Sequence, residues 1–388
     1  MINVRNHFPA LNRLHNGQPV AYFDSPGGTQ VPRMVGEAMT RYLYEHNANT
    51  HWAYPTSAET DAIIASARAA CARFFGASER EIVFGNNMTT LTFHLSRALG
   101  RTWSAGDEVI ATELDHHANV APWRALEVDR GVVVRSARMI PETGQLDFDH
   151  LAQLIGPRTR LLAVGGASNA IGTINDLGRV RDLAREAGAL FFVDAVHLAP
   201  HERLDVRALG CDFLACSSYK FYGPHAGILF ARGELLESLP FPKLAPAPDK
   251  GPERAETGTQ NQEGIAGIEA TIRFLESLDW PALHDEGSRF AARLWNGLSS
   301  IRGVRLYGPP PGQPRTPTVS FTLDGFTGEE VSRALAERAL FVSHGDFYAQ
   351  TVVERLGVEA LVRVGCACYT SMEEIERLLD AVSELSGI

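Results

Sequence analysis

A lysine in the segment "SSYKFYGP" is the residue with the clearest potential for covalent chemistry. Lys220 is one of only three lysines in a chain of 388 residues that also contains thirty-three arginines. It directly follows the apolar run "CDFLACSSY". An arginine stays charged at every relevant pH, whereas a lysine removed from water can lose its proton and act as a nucleophile. Lysine at this position therefore indicates amine chemistry rather than a surface charge.

Other polar side chains follow other apolar runs of the chain. Asp194 ends the run "LFFV", and a carboxylate in such a setting needs a cationic or hydrogen-bonding partner because its burial alone is costly. Thr89 lies in the first turn of a predicted helix after "IVFGNN", where free N–H groups can bind an anion, although for this residue taken alone a simple helix cap is the better explanation. The other residues that follow such runs are Met88, His116, His117, Ser168, Asn169 and His197.

Taken together, these residues match the needs of pyridoxal phosphate. The amine of Lys220 can form an imine with the aldehyde of this cofactor, which an arginine cannot do. Asp194 can pair with the pyridine nitrogen and keep it protonated, so that the ring withdraws electrons from the substrate. The helix start around Thr89 can bind the phosphate, and a histidine can stack on the ring. The sequence therefore predicts a pyridoxal phosphate site.

The elements that carry these residues alternate between short strands and amphipathic helices. The runs "EIVFGNN", "DEVIATELDHH", "TRLLAVGGAS", "ALFFVDAV", "CDFLACSS" and "GILFAR" are predicted strands. Such alternation predicts an α/β fold with a mainly parallel sheet covered by helices, and ligands collect at the carboxyl ends of its strands. Beyond "YGPPPGQPRTP", the strands "TVSFTL", "ALFVSHG" and "LVRVGCACY" and two helices predict a smaller α+β domain. We expect a large domain over residues 16–264 and a small domain over residues 1–15 and 265–388.

Composition excludes several classes of protein. The net charge is −10 without a basic block, which argues against a nucleic-acid partner. No apolar run approaches the roughly 20 residues of a membrane helix, and the N-terminal segment lacks the apolar core of a signal peptide, so we expect a cytoplasmic protein without a membrane partner. The five cysteines form no CxxC pair, and the "CAC" of Cys366 and Cys368 has the wrong spacing for a zinc ribbon, so no metal is expected.

At these residues the chain resembles the class V aminotransferases of fold type I, the group that includes cysteine desulfurases, selenocysteine lyases and isopenicillin N epimerase. The resemblance rests on "YFDSPGGTQVP", "DHHANVAPW", "SNAIGTIN", "VDAVHLAPH", "SSYKFYGP" and "ETGTQN", and it covers nearly the whole chain. It implies a large domain with a sheet of the seven-stranded type, a smaller α+β domain, pyridoxal 5'-phosphate as cofactor and an amino acid as substrate.

Matched residue by residue, the resemblance implies a role for each side chain. Lys220 would hold the cofactor covalently and shuttle a proton at the substrate Cα, Asp194 would pair with the pyridine nitrogen, and His116 would stack on the ring. His117 is the second choice as the stacking residue. The residues implied to contact the ring hydroxyl or the phosphate are Met88, Thr89, Asn169, His197, Ser217 and Tyr219.

Two further implications concern the substrate and a second subunit. Arg363 in "LVRVGC" would form a bidentate salt bridge with the substrate α-carboxylate. Thr259 in "ETGTQN" would reach the phosphate of the neighbouring subunit's cofactor, which implies a homodimer with shared active sites. The chain departs from the family at two of the cofactor contacts. The family more often has glutamine at the position of His197, and desulfurases usually have histidine at the position of Tyr219.

The largest departure from the desulfurases is a missing cysteine. Desulfurases of this type carry a sulfur-accepting cysteine on a mobile loop about fifteen residues before the carboxylate-binding arginine, and here the ungapped position holds Tyr348. No cysteine lies between Cys216 and Cys366. The segment "GDFYA" resembles a desulfurase-like subgroup that lacks the loop cysteine. Asp346 and Tyr348 are candidates for substrate contact and acid–base work, and a solvent-facing or interface role is an equal alternative.

The resemblance leaves several reactions open. All of them begin with Lys220 removing the Cα proton of an amino acid. A C–S lyase acting by β-elimination fits the missing cysteine best. Aminotransfer, epimerisation and true desulfuration through another cysteine are the alternatives. A non-catalytic protein with the same fold is a further hypothesis, against which the presence of Lys220, Asp194 and Arg363 argues.

Overall fold

The computed structural model describes residues 4–387. Its strands are β1 (Leu14–His15), β2 (Gln18–Pro19), β3 (Ala21–Tyr22), β4 (Ile82–Gly85), β5 (Glu108–Thr112), β6 (Val133–Ala137), β7 (Met139–Ile140), β8 (Gln145–Leu146), β9 (Thr159–Gly165), β10 (Leu190–Asp194), β11 (Phe213–Ser217), β12 (Gly227–Ala231), β13 (Val304–Tyr307), β14 (Thr318–Leu323), β15 (Leu340–Phe341), β16 (Ser343–Gly345) and β17 (Leu361–Gly365).

The helices are α1 (Arg33–Arg41), α2 (Pro55–Phe75), α3 (Met88–Gly100), α4 (Ala121–Arg130), α5 (Phe148–Leu154), α6 (Leu177–Ala187), α7 (Val206–Leu209), α8 (Gly233–Ser238), α9 (Gln262–Glu276), α10 (Trp280–Ser299), α11 (Gly328–Glu337), α12 (Gln350–Leu356) and α13 (Met372–Ser386). No helix within residues 4–387 is both long and apolar enough to cross a membrane.

Seven strands form the central sheet in the order β4-β12-β11-β10-β9-β5-β6. Strand β12 runs antiparallel to both of its neighbours, and the other pairings are parallel. The prediction of an α/β fold with a mainly parallel sheet is confirmed. Strands β4, β5, β9, β10 and β11 consequently end at one edge of the sheet, and the polar residues that follow them meet there.

Both faces of this sheet are buried, which explains why its strands read as continuous apolar runs. Because successive side chains of a strand point to opposite faces, Phe191 and Val193 enter one hydrophobic core whereas Phe192 enters the other. Strand β11 alternates in the same way, with Leu214 in the first core and Phe213 in the second. Two separate cores therefore hold the sheet rigidly from both sides.

A second sheet of four strands, in the order β13-β14-β17-β16, is antiparallel and packs with α10, α11 and α13 around a third core. Strand β3 near the N-terminus pairs with β15, and Asp24 forms a bridge to Gly365. These pairings bring the segment that follows β3 next to the end of β17. The division of the chain into domains at residues 16–264 stays a prediction.

Two predicted strands differ in the structure. The run "ALFVSHG" forms two short strands, β15 and β16, which belong to different sheets because one pairs with β3 and the other with β17. Strand β17 ends at Gly365, so Cys366 and Cys368 lie beyond it. A side chain at position 365 would place its Cβ 2.2 Å from Cδ of Pro26, so the bridge to the N-terminal segment requires glycine there.

Candidate active site

A cavity lies at the carboxyl edge of the central sheet. It collects most of the residues that the sequence places after separate strands. The predicted site residues that line it are Met88, Thr89, His116, Asn169, Asp194, His197, Ser217, Tyr219 and Lys220. Four others, Thr259, Asp346, Tyr348 and Arg363, do not line it.

Lys220 projects into this cavity from a 3₁₀ turn that directly follows β11. Its Nζ donates hydrogen bonds to the backbone oxygens of Pro26 at 2.6 Å and Gly27 at 2.9 Å. Burial, reinforced by the positive charge of Arg363, lowers the pKa of Lys220 to about 7, although Asp194 opposes this shift. A substantial fraction of the amine is therefore neutral near pH 7 and can act as a base or nucleophile, as covalent chemistry requires.

Asp194 is the last residue of β10 and is 7% exposed. Its Oδ1 accepts a hydrogen bond from the N–H of Val196 at 2.9 Å. Burial raises the pKa of this carboxyl to about 7, and the nearby charge of Asp115 adds to the shift. A buried carboxylate that lines a cavity and accepts so few hydrogen bonds is strongly stabilised by a bound N–H group or cation.

Asp115 lines the same cavity and was missed by the sequence reasoning. Its Oδ1 accepts from the N–H of Gly165 at 2.6 Å, and its Oδ2 accepts from the N–H and hydroxyl of Thr112 at 2.7 and 2.8 Å. Position 165 must be glycine, because a Cβ there would lie 2.7 Å from the Asp115 Oδ1. Burial raises the pKa of Asp115 to about 6. The only sequence signal was an acidic residue directly before the histidine pair in "ELDHH".

His116 forms one wall of the cavity. Its Nδ1 accepts a hydrogen bond from the N–H of Ala118 at 2.9 Å, so the neutral ring carries its proton on Nε2. Burial, together with the charge of Lys220, lowers the pKa of His116 to about 4 and keeps the ring neutral. A neutral imidazole is suited to stacking on an aromatic ligand.

Asn169 and His197 also line the cavity. The Nδ2 of Asn169 donates to the backbone oxygen of Phe347 at 2.9 Å, whereas its buried Oδ1 has no hydrogen-bond partner among residues 4–387. The Nε2 of His197 contacts the hydroxyls of Thr316 and Thr318 at 3.1 and 3.2 Å. Burial holds the pKa of His197 well below its usual value, so this ring is neutral as well.

The N-terminus of α3 lies at the end of the cavity next to β11. Asn87 caps this helix by accepting from the N–H of Thr90, and the N–H of Met88 donates to the hydroxyl of Ser217 at 2.9 Å. Thr89 and Tyr219 line the cavity beside them, and the Tyr219 ring stacks on His225 with centroids 4.7 Å apart. A helix start, hydroxyl groups and a phenol form a set of donors that suits a phosphate.

Arg363 lies behind Asn169 on β17 and is 3% exposed. Its Nη1 donates to the backbone oxygen of Asn169 at 2.8 Å, and its Nη2 lies 3.4 Å from the hydroxyl of Ser343. Its buried Nε has no hydrogen-bond partner within residues 4–387. Burial lowers the pKa of Arg363 to about 9. This guanidinium therefore retains donors for an anion.

Asp346 and Tyr348 lie on a loop above the site. Asp346 is exposed, and its Oδ1 accepts from the N–H of Tyr348 at 2.9 Å. The Tyr348 side chain is 73% exposed, and its ring centroid is 5.6 Å from that of His116. Thr259 is exposed and lines a separate groove together with residues such as Leu244 and Gln260.

None of the five cysteines lines the cavity. Cys71, Cys211, Cys216 and Cys366 are buried, and Cys368 is half-buried. Burial raises the pKa of the Cys368 thiol to about 12 and raises that of Cys366 further. The thiolates that sulfur chemistry needs are therefore disfavoured at both positions.

The residues of the cavity fit pyridoxal phosphate. Lys220 supplies an amine with a lowered pKa, and Asp194 supplies a buried carboxyl that could pair with the pyridine nitrogen. The unpartnered Oδ1 of Asn169 can accept from the ring hydroxyl, and Thr89 with Ser217 offers donors at the helix start for the phosphate. These groups combine the chemistry that each part of this cofactor needs.

Comparisons with known proteins agree with this fit. A family model described as Aminotransferase class-V matches residues 21–378. A probable cysteine desulfurase of Pseudomonas putida is 33% identical over 394 residues, which cover 98% of this chain and 97% of that protein. The solved apo structure of the cysteine desulfurase from Thermococcus onnurineus NA1 has a TM-score of 0.93 and 30% identity, covering 99% of this chain and 97% of that one.

A more distant solved structure is a C-DES mutant with glycine covalently linked to its PLP cofactor. It has a TM-score of 0.83 and 22% identity, and it covers 98% of this chain and 99% of that one, so this likeness shows the fold alone. The family match extends over most of the chain and includes the segments that line the cavity. The chain therefore belongs to the class V aminotransferase family and is a pyridoxal phosphate-dependent enzyme of the cysteine desulfurase-like kind.

Proposed function

We propose that the enzyme cleaves the Cβ–S bond of a sulfur-containing amino acid by β-elimination. The observation that carries this proposal is the absence of a thiol from the lining of the cavity. A desulfurase needs a thiolate that attacks the substrate sulfur, and Tyr348 stands at the corresponding place in the sequence. A phenol cannot carry a transferable persulfide, whereas elimination needs no protein sulfur.

The roles of the side chains follow from their chemistry. The bound cofactor supplies a sink for the electron pair that the Cα–H bond leaves behind. Lys220 takes the Cα proton on Nζ, and its lowered pKa favours this step near neutral pH. Asp194 holds the proton on the pyridine nitrogen, and Arg363 binds the α-carboxylate. The ammonium of Lys220 then protonates the leaving sulfur, and hydrolysis yields pyruvate and ammonia.

The proposed role of Lys220 also rests on its two carbonyl acceptors. The backbone oxygens of Pro26 and Gly27 lie within 2.9 Å of Nζ. These two oxygens accept hydrogen bonds from the ammonium that forms when Nζ takes a proton. His116 stacks on the ring, and Asn169 with His197 contacts its hydroxyl. Met88, Thr89, Ser217 and Tyr219 surround the phosphate.

A true cysteine desulfurase is the second candidate, because the relatives reported above carry that name. The products of L-cysteine separate the two reactions. Desulfuration leaves alanine and a protein-bound sulfur, whereas elimination gives sulfide, pyruvate and ammonia. The experiment incubates the holoenzyme with L-cysteine and measures all five products in the wild type, Cys366→Ser and Cys368→Ser. Stoichiometric alanine that disappears in either variant would overturn the proposal. Pyruvate in all three proteins supports it.

Aminotransfer and epimerisation begin with the same removal of the Cα proton by Lys220, so product analysis must distinguish them from elimination. A panel of amino acids, including cystine and S-alkyl cysteines, is therefore assayed for keto acid and for the D-enantiomer as well as for pyruvate. Release of sulfide or a thiol together with pyruvate from one of the sulfur compounds supports elimination. Formation of a keto acid that keeps the substrate's sulfur would instead identify an aminotransferase.

We also propose a cytoplasmic homodimer in which Thr259 contacts the phosphate of the partner subunit's cofactor. Large apolar side chains are exposed, among them Trp52 at 62% and Leu244 at 68%, and exposed apolar surface of this kind marks association. Leu244 lines the same groove as Thr259. Mixed dimers of Lys220→Ala and Thr259→Ala subunits test the proposal. If Thr259 acts across the dimer, each mixed dimer regains one intact site, whereas action within one subunit restores none.

A further inference from the structure

The loop of residues 345–349, termed the Phe347 loop, has an unusual backbone. Phe347 and Tyr348 have φ values of 58° and 55°, which place two consecutive bulky residues in the left-handed region. This region is unfavourable for residues with a large side chain. Such a conformation persists only where surrounding contacts hold it in place.

The contacts that hold the Phe347 loop connect it to the proposed active site. The backbone oxygen of Phe347 accepts from Nδ2 of Asn169 at 2.9 Å, and that of Tyr348 accepts from the N–H of His117 at 2.7 Å. Ala349 at the end of the loop is buried. Both carbonyls therefore anchor the loop to segments that line the cofactor cavity.

The side chain of Phe347 covers Arg363. Its ring centroid lies 3.9 Å from the Arg363 Cζ. The guanidinium makes one short hydrogen bond, to Asn169, and one long contact to Ser343. An aromatic face attracts a cation and keeps water from one side of it. These two polar contacts alone do not fix the orientation of the Arg363 guanidinium. The contact with the Phe347 ring is therefore needed to hold it.

We propose that Phe347 is a positioning residue that sets the selectivity of the enzyme for substrates with a free α-carboxylate. The strained loop presses the ring onto Arg363 and links it through the Phe347 carbonyl to Asn169, so the guanidinium is dry and oriented before the substrate arrives. A carboxylate then binds without first ordering the arginine. This inference rests on the proposed role of Arg363 as the carboxylate-binding residue.

The test measures binding by the change in absorbance of the bound cofactor in the holoenzyme. L-alanine and L-alaninamide serve as probes, because they differ at the carboxylate and carry no leaving group. In Phe347→Leu we expect L-alanine to bind about tenfold more weakly, equivalent to about 1.4 kcal/mol, while the affinity for the amide stays within about twofold. Phe347→Tyr keeps an aromatic face and is expected to restore the preference for the acid.

A matched control is available outside the site. Phe148 packs against Arg179 at 4.5 Å from its ring centroid, so Phe148→Leu removes the same type of contact and should leave both affinities unchanged. Equal weakening of acid and amide in Phe347→Leu, or no change in either, would overturn the inference. The Arg363→Gln variant distinguishes a failure of the inference about Phe347 from a failure of the proposed role of Arg363. If this variant retains the preference for the acid, the carboxylate assignment itself is wrong.

Discussion

Replacement of Asp194 by asparagine is expected to make the cofactor-free protein more stable at neutral pH. The carboxyl is buried at the end of β10 and accepts one hydrogen bond, from the N–H of Val196. Without a bound cation this environment favours the protonated acid. Asparagine retains the oxygen acceptor for Val196 and remains neutral at every pH. The variant therefore removes the electrostatic penalty with little change in shape.

The size of the effect follows from the pKa of Asp194, which is raised from 3.8 to about 7. Between these two pH values the folded protein keeps a proton that the unfolded chain has released. The contribution of Asp194 to the free energy of unfolding is complete below pH 3.8 and is lost as the pH rises towards 7, by about 1.4 kcal/mol per pH unit. From pH 5 to pH 8 the wild type should lose about 2.7 kcal/mol relative to Asp194→Asn.

Urea unfolding of both apoproteins at pH 5, 6, 7 and 8 measures this difference. The exposed carboxyl of Asp285 on α10 provides the control, and Asp285→Asn should follow the wild type at every pH. Parallel pH profiles of the wild type and Asp194→Asn would refute the reasoning, because they would mean that Asp194 has the same pKa in the folded and unfolded states. Added pyridoxal phosphate should reverse the order of stability, since only the carboxylate pairs with a protonated pyridine nitrogen.

Three further predictions concern the holoenzyme and its assembly. Lys220→Ala should fold but carry no cofactor that borohydride fixes to the chain, and a fixed adduct in its mass spectrum would contradict the assignment. Attachment of pyridoxal phosphate to the wild-type apoprotein should accelerate as the pH rises, with a midpoint near 7, because burial lowers the pKa of Lys220 to about 7 and the neutral amine is the reactive form. A midpoint near the ordinary lysine value would disprove this. Asp194→Asn should retain the cofactor and lose at least about 100-fold in turnover, about 2.7 kcal/mol of transition-state stabilisation, so near wild-type rates on the physiological substrate would exclude its role.

Local sequence patterns were sufficient to predict much of the fold. The strands of the central sheet are buried on both faces, so each one is a continuous apolar run, and the side chain that ends it is at the ligand-binding edge. Lys220 and Asp194 were recognisable for this reason, since each is a polar residue of a specific type directly beyond such a run. The cavity at the sheet edge brings both of them together with His116 and Asn169.

Contacts between segments that are distant in the chain could not be predicted from such local patterns. The acceptors for Lys220 are backbone oxygens nearly two hundred residues earlier, and any residue type offers a backbone oxygen. Asp115 was missed because its importance depends on the approach of β9, where Gly165 donates to it. The split of "ALFVSHG" depends on which strands are available as partners, and no local periodicity encodes that choice.

The sequence by itself determined the types of chemical group at the sheet edge, because residue identity and strand periodicity are local properties. The lack of any cysteine between Cys216 and Cys366 is likewise a property of the sequence alone. Only the tertiary structure decided how Arg363 is held, with Asn169 on one side and the strained Phe347 loop on the other. That arrangement arises from packing between segments 178 and 194 residues apart in the chain, where the energy of one contact depends on the positions of all its neighbours.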